Sequence, residues 1–215
     1  MAGNAGKKLY NIIQDRLGNQ IDENNKKLYN ENMDGKPTVY LDMDGVIADF
    51  YTLLSEWFKV DHWKEIKTRE EILERLKGSS FFSEIPVFDN TYLILDIVDY
   101  YSKGNWSILS TPLEGDFENS VKHKNLWLDK VLKKAGVEPK SRLYTHFKWQ
   151  YAEPNSVLID DRPQNGEDFV KKSKSHLDKL LGKLPEGDRV SEFIRFQNNE
   201  SYLSKLIHKL EVLTK

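Results

Sequence analysis

Two short apolar runs, far apart in the chain, end in acids. Thr38-Val-Tyr-Leu41 runs straight into Asp42-Met-Asp-Gly45, and Val157-Leu-Ile159 runs into Asp160-Asp161. Runs of this length and composition read as buried strands. A buried strand that stops at a carboxylate delivers a charge to the rim of a sheet. If the sheet brings the two strand ends together, up to four carboxylates share one small space. Like charges so placed are unfavourable unless protons or a cation compensate. A hard divalent cation with oxygen ligands is the natural compensation, and magnesium keeps positions for water and phosphate. The plainer alternative is that each aspartate caps the turn or helix that follows it.

The rest of the chain supports a sheet of that kind. Residues 7 to 32 carry Leu9, Ile12, Ile13, Leu17 and Ile21 at helical spacing, ended by Gly35 and Pro37. Residues 51 to 88 read as helical, with Thr68-Arg-Glu-Glu71 as a capping box. Helices are predicted over 89–103, over 118–135 closed by Gly136, over 164–181, and from the last strand to the C-terminus. Between them lie strands at Trp106-Ser-Ile-Leu109, Arg142-Leu-Tyr-Thr145 and Phe193-Ile-Arg-Phe196. Strands separated by helices imply a parallel sheet with helices on both faces, and ligands then sit beyond the carboxyl ends of the strands.

At 215 residues the chain suits one domain with a small insert. Its formal charge of −2 gives no general attraction to nucleic acid or to an anionic membrane. Without cysteine, disulfides, thiolate metal sites and thiol nucleophiles are excluded. No signal peptide and no membrane-spanning run is evident, so the expectation is a protein of the cytoplasm, in a bacterium or a phage-infected cell. Neither a membrane nor nucleic acid is an expected partner, and a homo-oligomer stays open.

Two further residues fit the chemistry of phosphate. Ser110, ending the second predicted strand, has a hydroxyl to offer a phosphate oxygen, although a serine there also forms turns. Lys148, ahead of Asp160, offers one positive charge, although a lysine is ordinarily solvated surface.

In this order the motifs resemble the haloacid dehalogenase superfamily, over roughly residues 38 to 210. The residues are Asp42-Met-Asp-Gly-Val46, Ser110 in Ile108-Leu-Ser-Thr-Pro112, Lys148, and Leu158-Ile-Asp-Asp161. The resemblance implies a three-layer α/β/α, Rossmann-like core comprising residues 37–50 and 89–215. It also implies a small helical cap at 51–88; residues 1–36 stand outside as an N-terminal extension. It implies a magnesium-dependent phosphatase in which Asp42 attacks phosphorus and forms an aspartyl-phosphate. Asp44 would be the general acid and base, and Lys148, Ser110 and Thr111 would hold the phosphate. Magnesium would be held by Asp42, the backbone carbonyl of Asp44, and Asp161, with Asp160 in support.

Within that superfamily several segments are similar to the 5'(3')-deoxyribonucleotidase family and its bacterial and phage-encoded relatives. They are Asp42 to Phe50, Ser79-Ser-Phe-Phe-Ser-Glu-Ile-Pro86, Leu109-Ser-Thr-Pro112, the spacing Lys124-x-x-Trp127, and Ile159-Asp-Asp-Arg-Pro163. The implied substrate is a small phosphate ester, a nucleoside monophosphate. Phe50 would stack on the base, with Phe81, Phe82 and Trp57 or Trp63 lining the same apolar pocket. Ordinary packing between cap and core is the alternative role for these rings. The sequence departs from the family in a shorter cap, a longer loop at Glu153-Pro-Asn-Ser156, and a Lys-rich stretch over 164–190.

Other functions stay open, a phosphatase acting on some other small metabolite among them. A polynucleotide 3'-phosphatase would use the lysines of 122–134 and 171–183 as a track for the backbone. A catalytically silent binding or scaffold protein would use the N-terminal helix as a docking arm.

Overall fold

All five predicted strands form, and all run parallel in one sheet. They are β1 (Thr38–Leu41), β2 (Trp106–Ser110), β3 (Arg142–Tyr144), β4 (Ser156–Asp160) and β5 (Ser191–Arg195). Their spatial order is β3-β2-β1-β4-β5, which puts the first strand of the chain at the centre. The computed structural model describes residues 37–153, 155–181, 191–197 and 200–213. The helix predicted over 7–32 lies outside the described residues.

Seven α-helices accompany the sheet among the described residues: α1 (Phe50–Phe58), α2 (Arg69–Leu76), α3 (Phe81–Glu84), α4 (Thr91–Ser102), α5 (Phe117–Ala135), α6 (Pro163–Leu181) and α7 (Glu200–Leu213). Short 3₁₀ turns at Trp63–Glu65 and Lys148–Tyr151 complete the order. None of these helices is long and apolar enough to cross a membrane.

Alternation along the strands sorts the core into two layers. Val39 and Leu41 of β1, Trp106 and Ile108 of β2, and Val157 and Ile159 of β4 face one way. They pack against α4, α5 and α7 through residues such as Leu95, Leu128 and Leu206. Tyr40, Leu109 and Leu158 point the other way, toward Phe169 of α6. On that side α6 lies so close to β5 that a methyl group on Gly166 would come within 2.2 Å of the Phe193 ring. The result is the three-layer α/β/α arrangement that the alternation of elements implied.

The end of β5 departs by a residue from the expected strand: Phe196 is buried just beyond it, its N–H bonded to Asp160 O at 3.0 Å. Two helix ends follow their sequence signals. Thr68 Oγ1 accepts from Glu71 N at 3.2 Å to start α2. Gly136, at φ 73°, closes α5 through its N–H to Leu132 O.

Residues between β1 and α4 form an insert of α1, the first 3₁₀ turn, α2 and α3. Its two ends are pinned together, with Ala48 bridged to Val87 and Asp49 N bonded to Pro86 O at 2.8 Å. The insert therefore leaves the sheet and returns to it at one place, beside the end of β1.

Candidate active site

Register alone brings the acids together. Leu41 sits opposite Ile108 of β2 and Ile159 of β4. The next residue on β1 is Asp42 and the next on β4 is Asp160, while Ser110 ends β2. The Asp42 N–H continues the ladder to Ile159 O at 2.9 Å.

Beyond Asp42 the chain turns on one carbonyl. Met43 O accepts from the N–H groups of Val46, Ile47 and Ala48 at 3.3, 3.0 and 2.9 Å. Gly45 has φ +79°, and a Cβ there would lie 2.6 Å from Asp161 Oδ2. Glycine is thus required twice, for the left-handed backbone and for the approach of the second acid pair.

Asp42, Asp160 and Asp161 each offer a carboxylate oxygen within 4.8 Å of the others. Lys148 Nζ sits between the first two, 2.7 Å from Asp42 Oδ1 and 2.7 Å from Asp160 Oδ2. Asp160 is engaged through both oxygens: Asn165 Nδ2 donates to Oδ2 at 2.9 Å and Arg162 N to Oδ1 at 2.8 Å. Asp161 differs. Its Oδ2 accepts from the Tyr51 hydroxyl at 3.1 Å, whereas its Oδ1 is buried with no hydrogen-bond partner. The carboxylate of Asp44 is not one of this trio and meets Lys124 Nζ.

Burial is the main electrostatic fact. It pushes the Asp42 carboxyl up to about 7; Lys148 opposes the shift, and Asp160, Asp44 and Asp161 add to it. Burial likewise raises Asp161 to about 6, with the Asp160 charge adding. Lys148 is held above its ordinary range: burial works against its charge, but the carboxylates of Asp42 and Asp160 outweigh that. Lys148, Lys124 and Arg162, whose charge acts on Asp161 and Asp42, offset three of the four carboxylates, so the site is one positive charge short when all four are ionised.

Over this edge the insert roofs a cavity of about 510 Å³, lined among others by Asp42, Asp44, Phe50, Phe82, Trp63 and Thr111. Phe50 is half-buried and packs edge-on to Phe81 with centroids 5.3 Å apart.

Three expected positions differ from this arrangement. Phe81 is fully buried beneath Phe50 and Trp57 and does not line the cavity, because the short α3 points it into the core. Trp57 packs on Phe81 at 5.1 Å and is likewise not a wall residue, while Trp63 is. Ser110 is fully buried, its hydroxyl accepting from Lys124 Nζ at 2.9 Å. The strand-end hydroxyl residue that lines the cavity is its neighbour Thr111.

Sequence reasoning undervalued Lys124, Tyr51 and Asn165. Lys124 is completely buried on α5, between Asp44, Ser110 and the face of Phe82, whose centroid lies 4.6 Å from its Nζ. A signal for it existed, since a lysine on the buried stripe of an amphipathic helix needs a partner. Asn165, in the first turn after the tandem acids, is placed to reach back to them. Nothing in the sequence distinguishes Tyr51 from other aromatic residues of the insert.

No family model and no curated protein matches the sequence. Two solved structures are similar in their chain trace. One, described as a hydrolase from Streptococcus pneumoniae TIGR4, is 11% identical, with a TM-score of 0.39 over 80% of this chain and 99% of that one. The other, described as a dehalogenase, is 12% identical, with a TM-score of 0.45 over 85% of this chain and 99% of that one. At that distance neither likeness carries an argument about chemistry, which rests on the residues themselves.

Proposed function

We propose that this chain is a magnesium-dependent phosphomonoester hydrolase of the haloacid dehalogenase kind, that it works through an aspartyl-phosphate on Asp42, and that it acts on nucleoside monophosphates, deoxyribonucleotides foremost. The observation that carries the reading is the meeting of Asp42 with Asp160 and Asp161 at adjacent strand ends, with Lys148 bridging the first two.

The residues suit a divalent cation. Asp161 Oδ1 is a buried acceptor with no donor, and Asp42 and Asp161 are raised by burial first and by their neighbouring carboxylates second. Asp42, Asp161 and the backbone carbonyl of Asp44 would hold the ion, with Asp160 in support because its own oxygens are already engaged. Magnesium bound there would neutralise phosphoryl oxygens and ease the approach of an anionic substrate to an anionic nucleophile.

The chain's own groups then have defined tasks. A carboxylate oxygen of Asp42 attacks phosphorus as the ester P–O bond breaks, and Asp44 gives its proton to the leaving oxygen. In the second displacement Asp44 takes a proton from water, the water oxygen attacks phosphorus, and the Asp42 carboxylate leaves. Lys148 keeps Asp42 aimed and favours its ionised form against the effect of burial. Lys124 holds Asp44 beside the buried hydroxyl of Ser110, and Thr111 faces the phosphoryl group from the cavity wall. The 50–84 insert serves as a cap, and Phe50, Phe82 and Trp63 give a flat base an apolar wall to lie against.

Phosphate release from nucleoside 5'- and 3'-monophosphates, sugar phosphates and p-nitrophenyl phosphate, with and without magnesium, tests both halves. Nucleotides should be preferred and chelation should stop turnover reversibly. A large preference for sugar phosphates would overturn the substrate, and inactivity on every ester would overturn the enzyme.

A further inference from the structure

Asp161 feels the charge of Arg162 beside it, but the side-chain hydrogen bond that holds it comes from a residue of the insert. Tyr51, in the first turn of α1, donates its hydroxyl to Asp161 Oδ2 at 3.1 Å. The same oxygen is backed by Gly45, where even a methyl group would approach it to 2.6 Å. Oδ2 is therefore fixed, and the other oxygen is left buried and without a donor. A carboxylate pinned through one oxygen presents the second in one direction, as a well-aimed cation ligand requires.

The ring of Tyr51 is tied in its turn. It stacks on Trp63 at 4.8 Å and 30°, and Trp63 stacks on His62 at 5.9 Å and 29°. His62 starts the 3₁₀ turn by accepting from Lys64 N at 3.1 Å. Tyr51 and Trp63 both line the cavity in which a substrate would lie. A continuous set of contacts thus runs from the roof of the cavity to a candidate cation ligand.

We propose that Tyr51 is a positioning residue for the cation: its hydroxyl aims Asp161, and its stack on Trp63 makes cation affinity depend on the state of the insert. The inference rests on the metal site proposed above. Because binding free energies couple reciprocally, a ligand that orders Trp63 and Tyr51 in the cavity also tightens the cation, and the cation tightens that ligand.

Titration calorimetry of the full chain with magnesium alone, paired with the magnesium-induced rise in melting temperature, tests this without a substrate. Tyr51→Phe keeps the ring and its stack but removes the donor, and should weaken magnesium about 10- to 100-fold with little change in metal-free melting temperature. Trp63→Leu keeps the donor but removes the stack, and should weaken magnesium on the order of 2- to 5-fold. Tyr51→Phe binding within about twofold of wild type overturns the positioning role, because loss of such a partner costs far more. Wild-type affinity in Trp63→Leu overturns the link to the insert, and decides the matter alone should Tyr51→Phe not fold. Wild-type protein that binds no magnesium by either readout removes the metal site itself, a failure distinct from equal binding in all three proteins.

Discussion

The carboxyl edge of the sheet and the insert that covers it are built on different principles. At the edge, three adjacent parallel strands fix Asp42, Ser110 and Asp160 by backbone register, so each position follows from how far it lies past a paired residue. In the insert no ladder imposes register. Phe50, Phe81, Phe82 and Trp57 are placed by ring-on-ring packing, with centroids 5.1 to 6.3 Å apart. The edge concentrates buried charge and the roof concentrates buried apolar surface. Substitutions in the first should therefore destroy chemistry, and substitutions in the second should first cost stability or substrate affinity.

The largest expected effect is at the edge. Asp42→Asn removes the proposed nucleophile and should cut hydrolysis of p-nitrophenyl phosphate by more than about a hundredfold. Retention of more than about one per cent of the rate would break the comparison at its strongest point. Next come the two buried lysines. Lys148→Ala removes the buried cation between Asp42 and Asp160, and should cost about 3–5 kcal/mol of metal-free stability by chemical denaturation. Lys124→Ala strands the partly exposed Asp44, which water can reach, and should cost about 1–2 kcal/mol. The reverse order would move the electrostatic centre of the site to α5.

In the roof, Phe81→Ala should lower stability by about 3–5 kcal/mol through the cavity it leaves. Its KM should change less than that of Phe82→Ala, whose ring lines the cavity and should show the larger rise in KM. A rise in KM confined to Phe81→Ala would return that ring to the substrate pocket.

The smallest effect is a dependence on pH. Asp42 and Asp161 are raised to about 7 and about 6 from 3.8, so the folded state holds their protons more tightly than the unfolded chain. Their contribution to stability is complete below about pH 4 and is lost as pH rises through 6 and 7. A cation replaces those protons, so the melting-temperature rise caused by magnesium should grow between about pH 5 and 8. A rise that is constant, or greatest at the acidic end, would contradict the assignment of a cation to these carboxylates.

This contrast also explains what the sequence revealed. The strand order could not be read, but the ends of β1 and β4 could, because an apolar run followed at once by acids marks both where a strand stops and what it carries. Residue faces were harder. Phe81 and Phe82 are adjacent and chemically alike, and only the pitch of α3 decides which reaches the cavity. Ser110 and Thr111 pose the same problem one step apart, with a buried hydroxyl beside one that lines the cavity. Lys124 was visible as a spacing before Trp127, yet its pairing with Asp44 depends on where α5 crosses the sheet. Tyr51 carries no local signal, since its partner Asp161 is remote in sequence and its importance arises only from the folded contact.

The most direct measurement is acid quenching of the protein during incubation with a phosphate ester and magnesium, followed by peptide mass spectrometry. The expected result is one phosphoryl group on the peptide containing Asp42, absent without magnesium and absent in Asp42→Asn. A phosphoryl group on another residue, or full turnover by Asp42→Asn, would contradict the account.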